Sequence, residues 1–118
     1  MGKLTTHVLD TAHGRPAAGL RIDLWSIDAA GSKHHLKTTT TNQDGRTDTP
    51  LLADEALVVG VYELVFAVGE YFAKLDSTLP DPPFLNQVPL QFGIADPQGH
   101  YHVPLLASPW AYSTYRGS

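Results

Sequence analysis

The sequence predicts an all-β fold, a small antiparallel sandwich or barrel carrying one short helix, from three observations. Apolar residues recur mostly at every second position, turn formers interrupt the chain at regular intervals, and one stretch alone has a helical spacing. A length of 118 residues fits one domain over 1–118, since a chain of this size closes around a single core.

The first strand is expected over Leu4 to Asp10, where Leu4, Thr6 and Val8 share one face and Thr5, His7 and Leu9 the other. Turn formers from Ala12 to Gly19 end it. Leu20 to Ile27 alternates next, with Leu20, Ile22 and Leu24 opposed to Arg21, Asp23 and Trp25. A loop at Asp28 to Lys33 precedes a Thr-rich strand at Leu36 to Thr41, and Asn42-Gln43-Asp44-Gly45 is a strong turn signal. Arg46 follows directly, which puts it at the base of a further strand, where a long cation reaches across a sheet end. Leu57 to Val68, the most apolar stretch, reads as a central strand.

The helix is expected near residues 70–76, from Glu70 to Asp76. Tyr71, Lys74 and Leu75 fall there at i, i+3 and i+4, which turns Tyr71 and Leu75 toward the sheet. Ser77 to Pro83 is irregular because Pro80, Pro82 and Pro83 crowd four positions. Phe84 to Ala95 is a strand whose Pro89 suggests an edge position or a bulge. A type I turn at Asp96-Pro97-Gln98-Gly99 then leads into a hairpin. In its second strand Tyr101, Val103 and Leu105 share one face, and His100, His102, Pro104 and Leu106 the other. Ala111 to Ser118 forms a weakly alternating tail.

Composition excludes several classes of function. Eight Lys plus Arg against 12 Asp plus Glu give a net charge of -4, opposite to the footprint of a nucleic-acid binder. The absence of Cys removes disulfides, thiolate metal sites and cysteine nucleophiles. No apolar run approaches the roughly 20 residues of a membrane span, and Met1-Gly2-Lys3 leads into a strand pattern rather than a leader. The chain therefore reads as soluble and cytoplasmic.

Six histidines remain as the chemical signal. His13, His34 and His35 fall in turns or at a loop-to-strand junction and read as solvated. His100 and His102 share a strand face, but a metal site needs a third ligand that the sequence does not identify. His7 and His102 interrupt well-formed strands, which hold side chains precisely. The same residues are also readable as hydrogen-bonded structural histidines, and Arg46 as a solvated surface charge. Two His and one Arg in one place would suit attack by water on an electron-poor carbonyl, with His as base and Arg stabilising negative charge.

Four blocks carry a resemblance across essentially the whole chain. They are Leu4 to Ala12 with Gly14-Arg15-Pro16-Ala17, then Asp44-Gly45-Arg46-Thr47, then Tyr101 to Leu106, and finally Tyr112 to Ser118. In this order they resemble the transthyretin-related 5-hydroxyisourate hydrolases. The terminal Tyr115-Arg116-Gly117-Ser118 is the most specific, because the hormone-carrying transthyretins lack it. Ala107, Trp110 and Ala111 stand where the family often has Leu, Tyr and Gly.

The resemblance implies a transthyretin-like sandwich of two four-stranded sheets with one short helix. It also implies a homotetramer, a dimer of dimers, with active sites in a central channel. Carried over onto matching positions, His7, Arg46, His102 and Ser118 would be catalytic, and Tyr115, Arg116 and Gly117 would join His7 and Arg46 in binding substrate. The implied reaction is hydrolysis of 5-hydroxyisourate, the product of urate oxidation, to 2-oxo-4-hydroxy-4-carboxy-5-ureidoimidazoline, with no metal or other cofactor. A non-enzymatic binder of thyroid-hormone-like aromatic ligands is the competing expectation, since the transthyretins use the same channel that way.

Overall fold

The computed structural model describes residues 1–117. Among the described residues nine strands and one α-helix follow in order: β1 (Lys3–Asp10), β2 (Arg15–Pro16), β3 (Arg21–Ile27), β4 (Lys33–Thr40), β5 (Leu52–Ala53), β6 (Gly60–Phe66), α1 (Val68–Leu75), β7 (Val88–Ile94), β8 (His100–Ala107) and β9 (Tyr112–Thr114), with a single 3-10 turn at Asp54–Ala56 after β5. They build two sheets. One has the order β2-β1-β8-β9, with β5 also pairing β1; the other has the order β4-β3-β6-β7. The expected sandwich is present, and its first sheet gains a fifth member because β2 and β5, two residues each, share one edge of β1.

Alternation decides what each strand buries. Along β1, Leu4, Thr6, Val8 and Asp10 point inward, while Thr5, His7 and Leu9 lie on the outer face. Leu4 and Val8 meet Ile22, Leu24, Leu64, Phe66 and Leu105, all fully buried, in one core between the sheets. Each such side chain contributes about 1.5–3 kcal/mol relative to exposure. The polar inward positions are satisfied: Thr6 donates to the Val103 carbonyl at 2.7 Å, and Asp10 accepts from the Tyr71 hydroxyl at 2.8 Å and the His13 backbone at 2.9 Å.

Several expectations need correction. The sandwich is not wholly antiparallel, because β1 and β8 pair in parallel from Lys3↔His100 to Asp10↔Ala107. No hairpin follows the turn at Asp96 to Gly99. That turn is closed by a Gly99 to Asp96 bond of 3.0 Å, yet β7 pairs with β6 while β8 pairs with β1. A type I turn splays its flanking strands instead of matching their twist, and here it carries the chain from one sheet to the other. The helix starts earlier than expected, at Val68, and buries Tyr71 and Phe72; Leu75 is 44% exposed instead of facing the sheet. Pro89 does lie on an edge strand, β7.

Arg46 is not at the base of a strand. The segment from Asn42 to Pro50 is irregular, and it docks on the part of the β1 edge that β2 and β5 leave open. Val8 N–H donates there to the Gly45 carbonyl at 2.8 Å. Gly45 has φ +74° and approaches so closely that a Cβ would stand 2.4 Å from the Val8 carbonyl oxygen. Only glycine permits this approach, and it sets the next residue, Arg46, beside the outer face of β1.

Candidate active site

The parallel register of β1 and β8 assembles what the sequence leaves separate. Lys3, Thr5 and His7 project from the outer face of β1, and His100 and His102 from that of β8, with Lys3 opposite His100, Thr5 opposite His102 and His7 opposite Pro104. The docked loop adds Arg46, Thr47 and Thr49. Together Lys3, Thr5, Thr6, Arg46, Thr47, Thr49, His100 and His102 line an open cleft of about 390 Å³, and His7 lies within reach of the Arg46 charge but outside that lining.

His102 is fixed on two sides. Its Nδ1 lies 2.8 Å from the Thr5 hydroxyl, which in turn lies 3.4 Å from His100 Nε2. The tail crosses the other side: after β9 the chain returns along β8, and Gly117 N–H donates to the His102 carbonyl at 2.8 Å. A Cβ on Gly117 would stand 2.6 Å from the His102 ring carbon Cδ2.

The electrostatics favour neutral imidazoles. Burial, then the positive charge of Arg46, then His7 and His100 hold His102 below its ordinary value of 6.5. Burial and Arg46 do the same to His7, against the opposing pull of a hydrogen bond to the Asp44 backbone and of the Asp44 charge. Two proton acceptors ready at neutral pH thus share one neighbourhood with a permanent cation. Such a set can draw a proton from water and stabilise a developing oxyanion.

The expected site residues divide into groups. His7, Arg46, His102 and Gly117 come together. Tyr115 is 61% exposed, and with Arg116 it lines a second cleft of about 330 Å³ beside β7, where the Arg116 guanidinium sits 4.4 Å from the Tyr101 ring centroid. Ser118 lies outside the described residues. Sequence reasoning missed Thr5, His100, Lys3, Thr47 and Thr49. The signal for the first two was present, since alternation puts Thr5 on the His7 face and His100 on the His102 face; the strand pairing that joins those faces was not.

The remaining histidines lie elsewhere and are not simply solvated. His13 Nδ1 donates to Asp10 at 2.7 Å, His34 Nε2 to Asp28 at 2.9 Å and His35 Nε2 to Asp23 at 3.0 Å. Among the described residues no three His, Asp or Glu gather closely enough to hold a metal ion, so His100 and His102 have no third ligand there. No helix among them is long and apolar enough to cross a membrane.

Comparison with known proteins agrees with this architecture. The chain is 58% identical over 117 residues to 5-hydroxyisourate hydrolase 2 of Rhizobium meliloti (strain 1021), covering 99% of this chain and 97% of that one. Among solved structures, an (S)-allantoin synthase superposes with a TM-score of 0.92 at 47% identity; the match covers 99% of this chain but only 44% of that longer one. Transthyretin from Sparus aurata superposes at 0.86 with 27% identity, covering 98% and 96%. The model of the HIUase/Transthyretin family matches residues 4–117, and the chain belongs to that family.

Proposed function

We propose that this protein is a 5-hydroxyisourate hydrolase, a single domain over 1–118 that opens a cyclic amide of its substrate to give 2-oxo-4-hydroxy-4-carboxy-5-ureidoimidazoline in urate catabolism. The observation that carries the reading is the pairing of two imidazoles held neutral, His7 and His102, with the Arg46 cation beside one polar cleft. The names of close relatives point the same way. A cleft walled by four threonines and four cationic or imidazole side chains suits a polar heterocycle better than an iodinated aromatic hormone.

In the reaction, water attacks the amide carbonyl as His102 removes its proton, and Arg46 donates hydrogen bonds to the resulting oxyanion. The C–N bond then breaks, and the departing nitrogen takes the proton that His102 removed from water, while neutral His7 orients the substrate, leaving a new carboxyl group and a new N–H. The residues supply base, acid and oxyanion stabilisation, so the step needs no cofactor. On the family resemblance of the tail alone, we assign the Ser118 hydroxyl to positioning water.

A homotetramer belongs to this proposal. The cleft is open on the outer face of its sheet, whereas hydrolytic sites gain from excluding bulk water, and a second copy laid over that face would close it. The β7 and β9 edges flank the second cleft and carry unpaired backbone groups that another copy can satisfy. Tyr115 and Arg116 would then act at a subunit boundary. A cytoplasmic location is retained as part of the same reading, to be tested by cell fractionation.

The test is turnover. Adding the protein to urate and urate oxidase should hasten loss of the 5-hydroxyisourate absorbance, and His7→Ala or His102→Ala should lose most of that effect. Near-native turnover in both variants would refute the assignment.

A further inference from the structure

The hydroxyl of Thr5 stands between two ring nitrogens, 2.8 Å from His102 Nδ1 and 3.4 Å from His100 Nε2. A hydroxyl has one proton and two lone pairs, so between two imidazoles it can donate to at most one, and where it donates to one it accepts from the other. This chain has two arrangements, and they give His102 opposite chemistry. If His102 Nδ1–H donates to Thr5 and Thr5 O–H donates to His100, then His102 Nε2 carries a lone pair and is a base. If the chain runs the other way, Nε2 carries the proton and the base is lost.

We propose that Thr5 is the positioning residue of His102, its hydroxyl accepting the Nδ1–H and passing its own proton's hydrogen bond to His100, so that Nε2 is kept as the proton acceptor for water. The inference rests on the hydrolase reading for the task that Nε2 performs, but the geometry of the three side chains stands independently. The shorter contact has the length of a full N–H···O bond, and the longer one marks the weaker, terminal bond of the chain. A cleft carrying Arg46 and Lys3 favours a lone pair over an N–H directed into it. Fixing the tautomer of a working imidazole through its far nitrogen is a recurrent device, in which the partner on one nitrogen decides what the other does.

The pairing also explains why a polar residue occupies this place. Thr5 is directly opposite His102 in the parallel register, and a β-branched side chain there has few rotamers and so holds its hydroxyl still. Valine keeps that shape without the hydroxyl, and serine keeps the hydroxyl with less restraint.

The experiment compares wild type, Thr5→Val and Thr5→Ser by steady-state kinetics across pH and by 15N-edited imidazole NMR of labelled protein above the His102 titration. Thr5→Val should fold, since valine suits a strand, and thermal melting checks this. The expected result is a proton on His102 Nδ1 in wild type and a mixture of tautomers in Thr5→Val. With it should come a fall in kcat of about ten- to a hundredfold and a KM change below about threefold. Thr5→Ser should recover kcat to within about threefold and restore the wild-type tautomer. Wild-type kcat and tautomer in Thr5→Val, or a wild-type proton on Nε2, would overturn the proposal. If wild type itself fails to consume 5-hydroxyisourate, the hydrolase reading falls, and the tautomer spectra alone then decide whether Thr5 sets the Nδ1 proton.

Discussion

Gly117 lies against His102: its N–H donates to the His102 carbonyl at 2.8 Å, and the space a side chain would need is taken by the imidazole, 2.6 Å from an ideal Cβ. The tail is thus shaped to the ring it covers. Gly117→Ala should push the His102 ring from its place and lower kcat about ten- to a hundredfold, because sub-ångström displacement of a catalytic group is costly. The position is near the chain end, so stability should change by no more than about 0.5 kcal/mol. Kinetics and thermal melting of the same preparation check both halves.

Removing the tail altogether is a separate prediction. Deletion of Tyr115 to Ser118 should abolish turnover while circular dichroism still reports the folded sandwich, since these residues add little to the core between the sheets. A fully active truncated protein would place the tail outside the site.

Arg46 links the two imidazoles electrostatically. Both titrate below their ordinary value of 6.5 in the folded chain, with Arg46 the second cause after burial in each case. A base with a depressed pKa stays active as pH falls below 6.5 and fails only as pH drops through the folded value. Arg46→Gln should therefore move the acid limb of the pH–rate profile upward, and it should lower kcat by about 10²–10³ through loss of the oxyanion partner. The same shifts make the unfolded chain the better proton binder just below pH 6.5. The stability that these imidazoles contribute is therefore present above that pH and is lost as pH falls toward their folded values.

Tyr71 gives a prediction away from the cleft. Burial, then its bond to Asp10, pushes the Tyr71 hydroxyl up to about 12. Burial alone would raise Asp10, but the bonds from Tyr71 and His13 outweigh it and hold the carboxyl below its usual range. Tyr71→Phe removes one donor from a buried carboxylate and should cost about 1–3 kcal/mol. It should also raise the pH at which acid unfolding begins, because a depressed carboxylate contributes stability that is lost as pH falls through its folded pKa. Urea melts between pH 3 and pH 7 measure both effects.

Much of this was legible in the sequence, for identifiable reasons. Alternation placed His7 and His102 on outward faces, because one-sided burial enforces a period of two. What alternation cannot carry is which strands pair. The Asp96 to Gly99 turn was correctly placed, yet local chemistry could not say that β7 and β8 join different sheets, and with that the parallel pairing that brings Thr5 to His102 was lost. Arg46 shows the same limit. Its position beside His7 comes from Gly45 pressing against the Val8 carbonyl, a tertiary contact between residues far apart in the chain. Tyr115 and Arg116 were legible as a motif, but the face they occupy depends on the return of the tail along β8.

Hydrolysis of 5-hydroxyisourate is assigned to the cleft lined by Arg46 and His102, with His7 beside Arg46. The most direct measurement generates that compound from urate with urate oxidase and follows its absorbance with and without this protein. Decay should accelerate in proportion to enzyme concentration and return to the spontaneous rate in His102→Ala. Decay at the spontaneous rate with the folded wild-type protein present would contradict it.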